Sequence, residues 1–278
     1  MDDVLVLWDI DGTLLNSGGV GRDLYDSVFL DLFGRSLSAF APMAGRTDRA
    51  IILETLSMAG IEEPRRYVDP FLAGLGDAAA SLGPTLAAKG HALPGAAAVV
   101  AELCSRASAR SLGAVGLPSS AAGRAARVYQ SVLTGNARPL AEAKLGALGL
   151  RHGLDLCIGA YGDDHEDRAE LVHVARRRAA GVHGWTADAF SGLSTVVIGD
   201  TPLDIAAALT AGARAVGVGT GSYTAVELLA AGAHAVLADL TDTAAVLAAL
   251  LPELEGQPVI TRTLVTADAA KDGVVPAC

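Results

Sequence analysis

Aromatic residues are scarce in this 278-residue chain. Phe, Trp and Tyr make up 4% of it against a hydrophobic fraction of 51%, so Ala, Val and Leu must fill the core. Cysteine is scarce too. Cys104, Cys157 and Cys278 stand far apart, with no pair at metal-ligand spacing. That excludes a disulfide framework and fits reduced thiols in a cytoplasmic protein. Positive charge is in deficit: 21 Lys and Arg against 31 Asp and Glu give a formal net charge of −10. This argues against nucleic acid or an anionic membrane surface as the main partner. An anionic substrate remains admissible, because a bound divalent cation reverses the local field. Uncharged apolar runs of about 18 residues are missing, so no membrane-spanning helix is expected. The chain opens Met1-Asp2-Asp3 without the basic region of a signal peptide, so none is expected. There is no internal repeat, and the length suits one domain with an insertion. Oligomeric state is left open.

What is present is concentrated at residues 4–13. The apolar run Val4–Trp8 ends in Asp9, Ile10, Asp11, Gly12 and Thr13. A run of this length bounded by a turn signal reads as a buried strand. Alternation would place Asp9 and Asp11 on the same side. Two like charges so close stay together cheaply only if a cation sits between them or one holds a proton.

Further apolar runs follow at 129–133, 154–158, 195–198, 215–218 and 235–237. Between them lie Ala- and Leu-rich periodic segments such as 139–148 and 204–211, with Pro139 suited to a first helical turn. Strands alternating with helices predict βαβ units and a Rossmann-like parallel sheet. Residues 16–91 break the pattern and contain no convincing strand. They predict helices over 22–33, with Leu24, Val28 and Leu32 on one face, over 48–59 with Thr47 as N-cap, and over 70–82. This segment reads as a helical insertion directly after the first strand. Gly83-Pro84 and Pro94-Gly95 punctuate the return to the core. The expected division is therefore a catalytic core of 1–15 and 92–256, a helical cap of 16–91, and a tail of 257–278. Residues 105–127 read as a long surface loop, and the tail shows no core face.

In an open parallel sheet, ligands bind outside the carboxyl ends of the strands. There the first strand presents Asp9 and Asp11, the run 129–133 presents Thr134, Gly135 and Asn136, and the run 195–198 presents Asp200 and Asp204. Lys144 lies on a following helix. These are the parts of a phosphoryl-transfer site. Asp9 can attack phosphorus as a carboxylate nucleophile. Asp11 can protonate the leaving oxygen and later activate water. Asp200 and Asp204 add carboxylates for Mg²⁺, so the expected metal residues are Asp9, Asp11, Asp200 and Asp204. Thr134 with the backbone of Gly135 and Asn136 can hold phosphoryl oxygens, and Lys144 can offset their charge. Arg46, within Gly45-Arg46-Thr47-Asp48 of the cap segment, could meet an anionic substrate group.

Taken together, Asp9-Ile10-Asp11-Gly12-Thr13, Thr134, Lys144 and Gly199-Asp200-Thr201-Pro202-Leu203-Asp204 resemble the four motifs of the haloacid dehalogenase-like superfamily, in order. The resemblance is to its capped phosphatases, related to phosphoglycolate phosphatase and β-phosphoglucomutase. It implies a Rossmann-like core with a mobile cap, Mg²⁺ as cofactor, and a small phosphorylated metabolite as substrate, hydrolysed through an aspartyl phosphate. It also implies that Asp11 ligates Mg²⁺ through its backbone carbonyl. Where those relatives commonly carry an Asp-Ser or Asp-Thr pair after the first motif, this chain has Leu14-Leu15-Asn16-Ser17. The mutase pattern also places a histidine soon after that motif, and residues 14–24 hold none, which favours hydrolysis over a phosphomutase. A catalytically silent member would have lost a motif carboxylate, and none is lost.

Plainer readings stand beside these. Asp9-Ile10-Asp11-Gly12 fails as a calcium loop, because Leu14 and Val20 occupy the positions for Gly and Glu. Asp204 by itself would be a helix cap. Gly217-Val218-Gly219-Thr220-Gly221 reads as a glycine-rich turn. The acidic stretch 162–168 reads as a solvated loop near the sheet end, and Arg176-Arg177-Arg178 as a solvated helix face.

Overall fold

The computed structural model describes residues 3–112, 127–186, 189–251 and 263–265. The run Val4–Trp8 forms β1, the strand around which the sheet is built. Val128–Val132 (β4) pairs with it on one side and Thr195–Gly199 (β5) on the other. Arg214–Val218 (β6), Ala235–Leu237 (β7) and Thr263–Val265 (β8) extend the sheet beyond β5. All pairings are parallel, in the order β4-β1-β5-β6-β7-β8. The chain runs outward from β1 in both directions. This is the switch point at which open α/β sheets form their ligand crevice.

Alternation decides which side chains go where. Leu5 and Leu7 enter one apolar cluster, and Val6 and Trp8 enter the other. The first face is covered by Arg168–His183 (α7), Pro202–Thr210 (α8) and Ala225–Ala230 (α9). The second is covered by Ala96–Leu112 (α5), Arg138–Ala147 (α6) and Thr243–Leu250 (α10). With both faces covered, β1 needs an unbroken apolar run, and complete burial of a side chain such as Leu5 contributes about 2 kcal/mol. Trp8, one of two tryptophans, is fully buried, and its indole N–H donates to Gln130 Oε1 at 3.3 Å.

Between the short strands Leu15–Asn16 (β2) and His91–Ala92 (β3) lie four α-helices, Val20–Phe33 (α1), Asp48–Met58 (α2), Val68–Ala79 (α3) and Gly83–Lys89 (α4), with a 3-10 turn at Pro64–Tyr67. β2 and β3 pair antiparallel, which brings the two ends of the insertion together. The helices bury their own cluster, including Tyr25, Phe29, Ile52, Phe71 and Leu75, and Leu140 of α6 joins it.

Several expectations need correction. The run 154–158 is not a strand. Leu154, Leu156 and Ile158 are buried, but Asp155 bends the chain by accepting the Cys157 N–H on its own carboxylate. Residues 16–91 do hold strand, because Asn16 and His91 belong to the β2–β3 pair. The punctuation at Gly83-Pro84 begins α4, where proline suits the first turn. α1 starts at Val20, and its buried face is Leu24, Tyr25, Val28 and Phe29, while Leu32 is exposed. The segment 105–127 opens as the end of α5, which reaches Leu112, and 113–126 lie outside the described residues. Within the tail, Thr263–Val265 adds β8 to the sheet, and the rest of 257–278 lies outside the described residues.

Candidate active site

The β1 ladder runs one residue past the strand, where the Asp9 N–H donates to Ile198 O at 2.8 Å. The chain then turns, with Ile10 O accepting from Leu14 N at 2.9 Å and Leu15 N at 3.0 Å. Gly12 takes φ 85°, a left-handed conformation, and a Cβ there would overlap the Asp200 carboxylate. Conformation and space both demand glycine at this point.

This turn gives the two aspartates different surroundings. Asp11 Oδ1 accepts from Ser17 Oγ at 2.8 Å. Its Oδ2 accepts from Lys144 Nζ at 2.6 Å and Asn136 Nδ2 at 2.7 Å. Lys144 also donates to Asn136 Oδ1 at 2.7 Å, and Asn136 Nδ2 reaches Thr134 Oγ1 at 2.8 Å. α6 carries Lys144 inward, where it is buried. Burial pushes the Asp11 carboxyl up, but Lys144, Asn136 and Ser17 outweigh it and hold it below the usual range.

Asp9 faces the other way. Arg168 Nη2 lies 2.8 Å from Asp9 Oδ1 and 2.6 Å from Asp204 Oδ1. Burial, with the charges of Asp204, Asp200 and Asp11, lifts Asp9 well above the usual carboxylate range against the pull of Arg168. Burial and Asp204 likewise push Asp200 up to about 7. The repulsion anticipated between Asp9 and Asp11 is thus met by a separate cation for each.

Asp9, Asp200 and Asp204 each present one oxygen, all within 4.8 Å of one another. This acidic cluster can hold a divalent ion. The donors are all hard oxygens, Asp204 Oδ1 is buried beside Arg168, and glycines at 12 and 221 leave room beside Asp200 that a Cβ would fill. The Asp11 side chain stands apart from the cluster, turned to Lys144. Asp204 is also the cap it would be by itself. Its Oδ2 accepts from Thr201 N at 3.0 Å and Thr201 Oγ1 at 2.7 Å in a capping box that starts α8. Thr13 Oγ1 donates to the other side of the cluster, at 3.1 Å from Asp200 Oδ1.

A cavity of about 530 Å³ brings the expected residues together: Asp9, Asp11, Arg46, Thr134, Gly135, Asn136, Lys144 and Asp200 line it, with Asp204 buried behind. The glycine-rich turn after β6 lies on the same wall, where a Cβ at Gly221 would overlap Asp200 and Thr220 Oγ1 donates to Gly12 O at 2.6 Å. Arg46 is at the wall but engaged. It pairs with Glu54 at 2.6 Å and donates to Pro42 O and Ala50 O, so its charge is already met within the insertion.

Arg168 is a site residue that the sequence pattern does not mark. It sits in the stretch 162–168 whose acidity predicts a solvated loop, yet it is the first residue of α7, capped by Asp167, and it is buried against the acidic cluster. The available signal was the N-cap Asp167 ahead of a helical run, which aims the next side chain at the sheet ends. Arg176 also departs from the expected solvated face. It is buried and donates to Thr195 Oγ1, Ala211 O and Gly192 O, while Arg178 pairs with Asp164 at 2.7 Å. α2 docks close beside the cavity: Asp48 N–H donates to Gly135 O at 2.7 Å, Asp48 Oδ2 accepts from Ala137 N at 2.6 Å, and Thr47 Oγ1 donates to Glu166 O at 2.8 Å.

A family model described as HAD-hydrolase-like matches residues 170–243, the stretch that carries Asp200 and Asp204. Over those residues the chain is similar to haloacid dehalogenase-like hydrolases. Among solved structures, a hydrolase from Pseudomonas syringae is 23% identical, with 92% of this chain and 99% of that chain covered and a TM-score of 0.54. A candidate β-phosphoglucomutase from Bacteroides vulgatus is 17% identical over 91% of each chain, with a TM-score of 0.57. A candidate phosphatase from Clostridium acetobutylicum is 17% identical, covering 85% of this chain and 94% of its own, with a TM-score of 0.53. At these identities the likenesses establish the fold shared with the superfamily. No curated protein matches the chain.

Proposed function

We propose that this protein is a haloacid dehalogenase-like, Mg²⁺-dependent phosphatase that hydrolyses a small phosphorylated metabolite through an aspartyl phosphate. The observation that carries the reading is the separation of Asp9 and Asp11. One carboxylate faces an acidic cluster and a buried arginine, and the other is held by a lysine and an amide. Two neighbouring carboxylates held in such different surroundings can take two different roles.

Asp9 attacks phosphorus, forming its P–O bond as the bond to the leaving oxygen breaks. Thr134, Gly135 and Asn136 with Lys144 hold the phosphoryl oxygens. Asp9, Asp200 and Asp204 would hold a divalent ion, whose positive charge would keep these carboxylates ionised and offset the phosphate. The Lys144 ion pair keeps Asp11 ionised at rest, which suits a base but not an acid. An incoming phosphate draws Lys144 toward itself, so Asp11 loses its partner and its pKa rises, which allows it to carry the proton to the leaving oxygen. Water then attacks the phosphoenzyme, gives its proton to Asp11, and releases phosphate and Asp9. Residues 16–91 act as the cap that closes over the site and excludes bulk water. No histidine stands among the described residues lining the cavity, which favours transfer to water over a mutase return step.

The test is a panel of phosphomonoesters assayed with Mg²⁺ against wild type and Asp9→Asn. Turnover by the first and its loss in a folded Asp9→Asn protein support the reading. Equal rates in both would overturn it.

A further inference from the structure

The cavity is larger than a phosphoryl group requires, and its cations are unequally engaged. Arg22, Arg46, Lys144 and Arg168 line it. Lys144 is held by Asp11, Arg168 by Asp9 and Asp204, and Arg46 by Glu54. Arg22 differs. Among the described residues its exposed side chain has no ion pair and no hydrogen bond. Its guanidinium lies over the Phe40 ring, 5.7 Å from the centroid, which limits its wandering while leaving its N–H donors open. It belongs to the first turn of α1, on the insertion side of the cavity, where Tyr25, Met43, Ile51 and Leu140 also line the wall. The phosphoryl machinery occupies the sheet side.

We infer that the substrate is a phosphomonoester whose organic part carries a second anionic group, and that Arg22 receives that group. The inference rests on the phosphatase reading above. A guanidinium fork matches a carboxylate or a phosphate with two parallel hydrogen bonds, whereas a neutral sugar hydroxyl would use little of it. Lys144 and Arg168 are committed to the reacting end. A second anion on the insertion side therefore has one open cation to meet among the described lining residues. The apolar side chains of Met43, Ile51 and Leu140 on the same wall suit a short carbon skeleton.

The experiment compares matched substrates under Mg²⁺ with wild type, Arg22→Ala and Arg22→Lys. 3-Phosphoglycerate is set against glycerol 3-phosphate for a carboxylate, and fructose 1,6-bisphosphate against fructose 1-phosphate for a second phosphate. p-Nitrophenyl phosphate reports the chemistry alone. In one pair, wild type should favour the doubly anionic member by about tenfold or more in kcat/KM, mainly through KM. Arg22→Ala should cut that ratio by about 10- to 100-fold, and Arg22→Lys should keep part of it. The pair that responds tells a carboxylate from a phosphate. If wild type cleaves p-nitrophenyl phosphate but prefers neither doubly anionic member, the inference fails and the phosphatase reading stands. It fails equally if either Arg22 variant, folded by circular dichroism, lowers both members of a pair alike. If wild type cleaves no phosphomonoester, the phosphatase reading itself is wrong.

Discussion

Arg168 and Asp9 are 159 positions apart in sequence, yet Arg168 Nη2 lies 2.8 Å from Asp9 Oδ1 with both side chains buried. The same nitrogen is 2.6 Å from Asp204. Removing one member of a buried ion cluster leaves uncompensated charge, which costs about 3–5 kcal/mol. Arg168→Met should therefore lower the unfolding free energy in metal-free buffer by about that amount. Added Mg²⁺ should restore part of the loss, because a divalent ion among Asp9, Asp200 and Asp204 offsets the same repulsion. Urea unfolding with and without the ion measures both. An unchanged midpoint in metal-free buffer would show that Arg168 does not offset the cluster.

The two aspartates of the first motif should fail differently. Asp9→Asn removes the nucleophile and should abolish turnover with every substrate. Asp11→Asn removes the proton carrier, so alkyl phosphates should slow by about 10²–10⁴-fold while aryl phosphates slow less, since a good leaving group needs less protonation. Equal losses for both leaving groups would argue against the proton-carrying role.

Activity should vanish on exhaustive chelation and return with Mg²⁺, with Ca²⁺ a poor substitute, because Asp9, Asp200 and Asp204 would otherwise repel the incoming phosphate. Gly221 gives a finer test. A Cβ there would overlap the Asp200 carboxylate, and Gly221 has no left-handed φ, so space alone is at issue. Gly221→Ala should raise the Mg²⁺ concentration for half-activation by about 10- to 100-fold, with the fold preserved. Retained activity in excess chelator, or an unchanged metal requirement in this variant, would separate Asp200 from the metal.

The central strands were legible because their signals are local. Val4–Trp8 is apolar on both faces and stops at a turn, and β7 shows the same compact pattern. The motif residues were legible because each ends a strand or follows one. Arg168, Arg176 and Ser17 were not. An arginine buried by carboxylates reads in sequence like one bathed in water, since its partners are supplied by β1 and α8 across the fold. The run 154–158 failed for the opposite reason: its apolar side chains are buried as expected, but burial alone does not create a ladder when an aspartate turns the backbone. β8 lies in a tail segment without the flanking helix pattern of the other strands, and its pairing with β7 depends on the sheet already being in place. Arg46 was legible as a cap residue near the site, whereas its pairing with Glu54 depends on the turn of α2 that separates them.

Asp48 offers a test that is independent of catalysis. It is the first residue of α2 and is buried between three elements, with Oδ1 accepting from Tyr25 Oη of α1 at 2.7 Å and Oδ2 accepting from Ala137 N, just ahead of α6, at 2.6 Å. Burial pushes its carboxyl up to about 6, although Ala137 N, Tyr25 and Lys144 all pull the other way. The folded protein therefore holds this proton more tightly than the unfolded chain does. The stabilisation from that proton is complete below the unfolded pKa near 4 and is lost as pH rises through about 6. Asp48→Asn carries no titrating group at this position. Asp9 and Asp200 shift in the same direction but are common to both proteins, so they cancel in the comparison. The stability of wild type relative to Asp48→Asn should then fall by about 2 kcal/mol between pH 4 and pH 7. Paired urea titrations at several pH values give this difference directly. A flat difference across the range would mean that Asp48 titrates in the fold as it does in the unfolded chain, with its two hydrogen bonds fully offsetting the cost of burial.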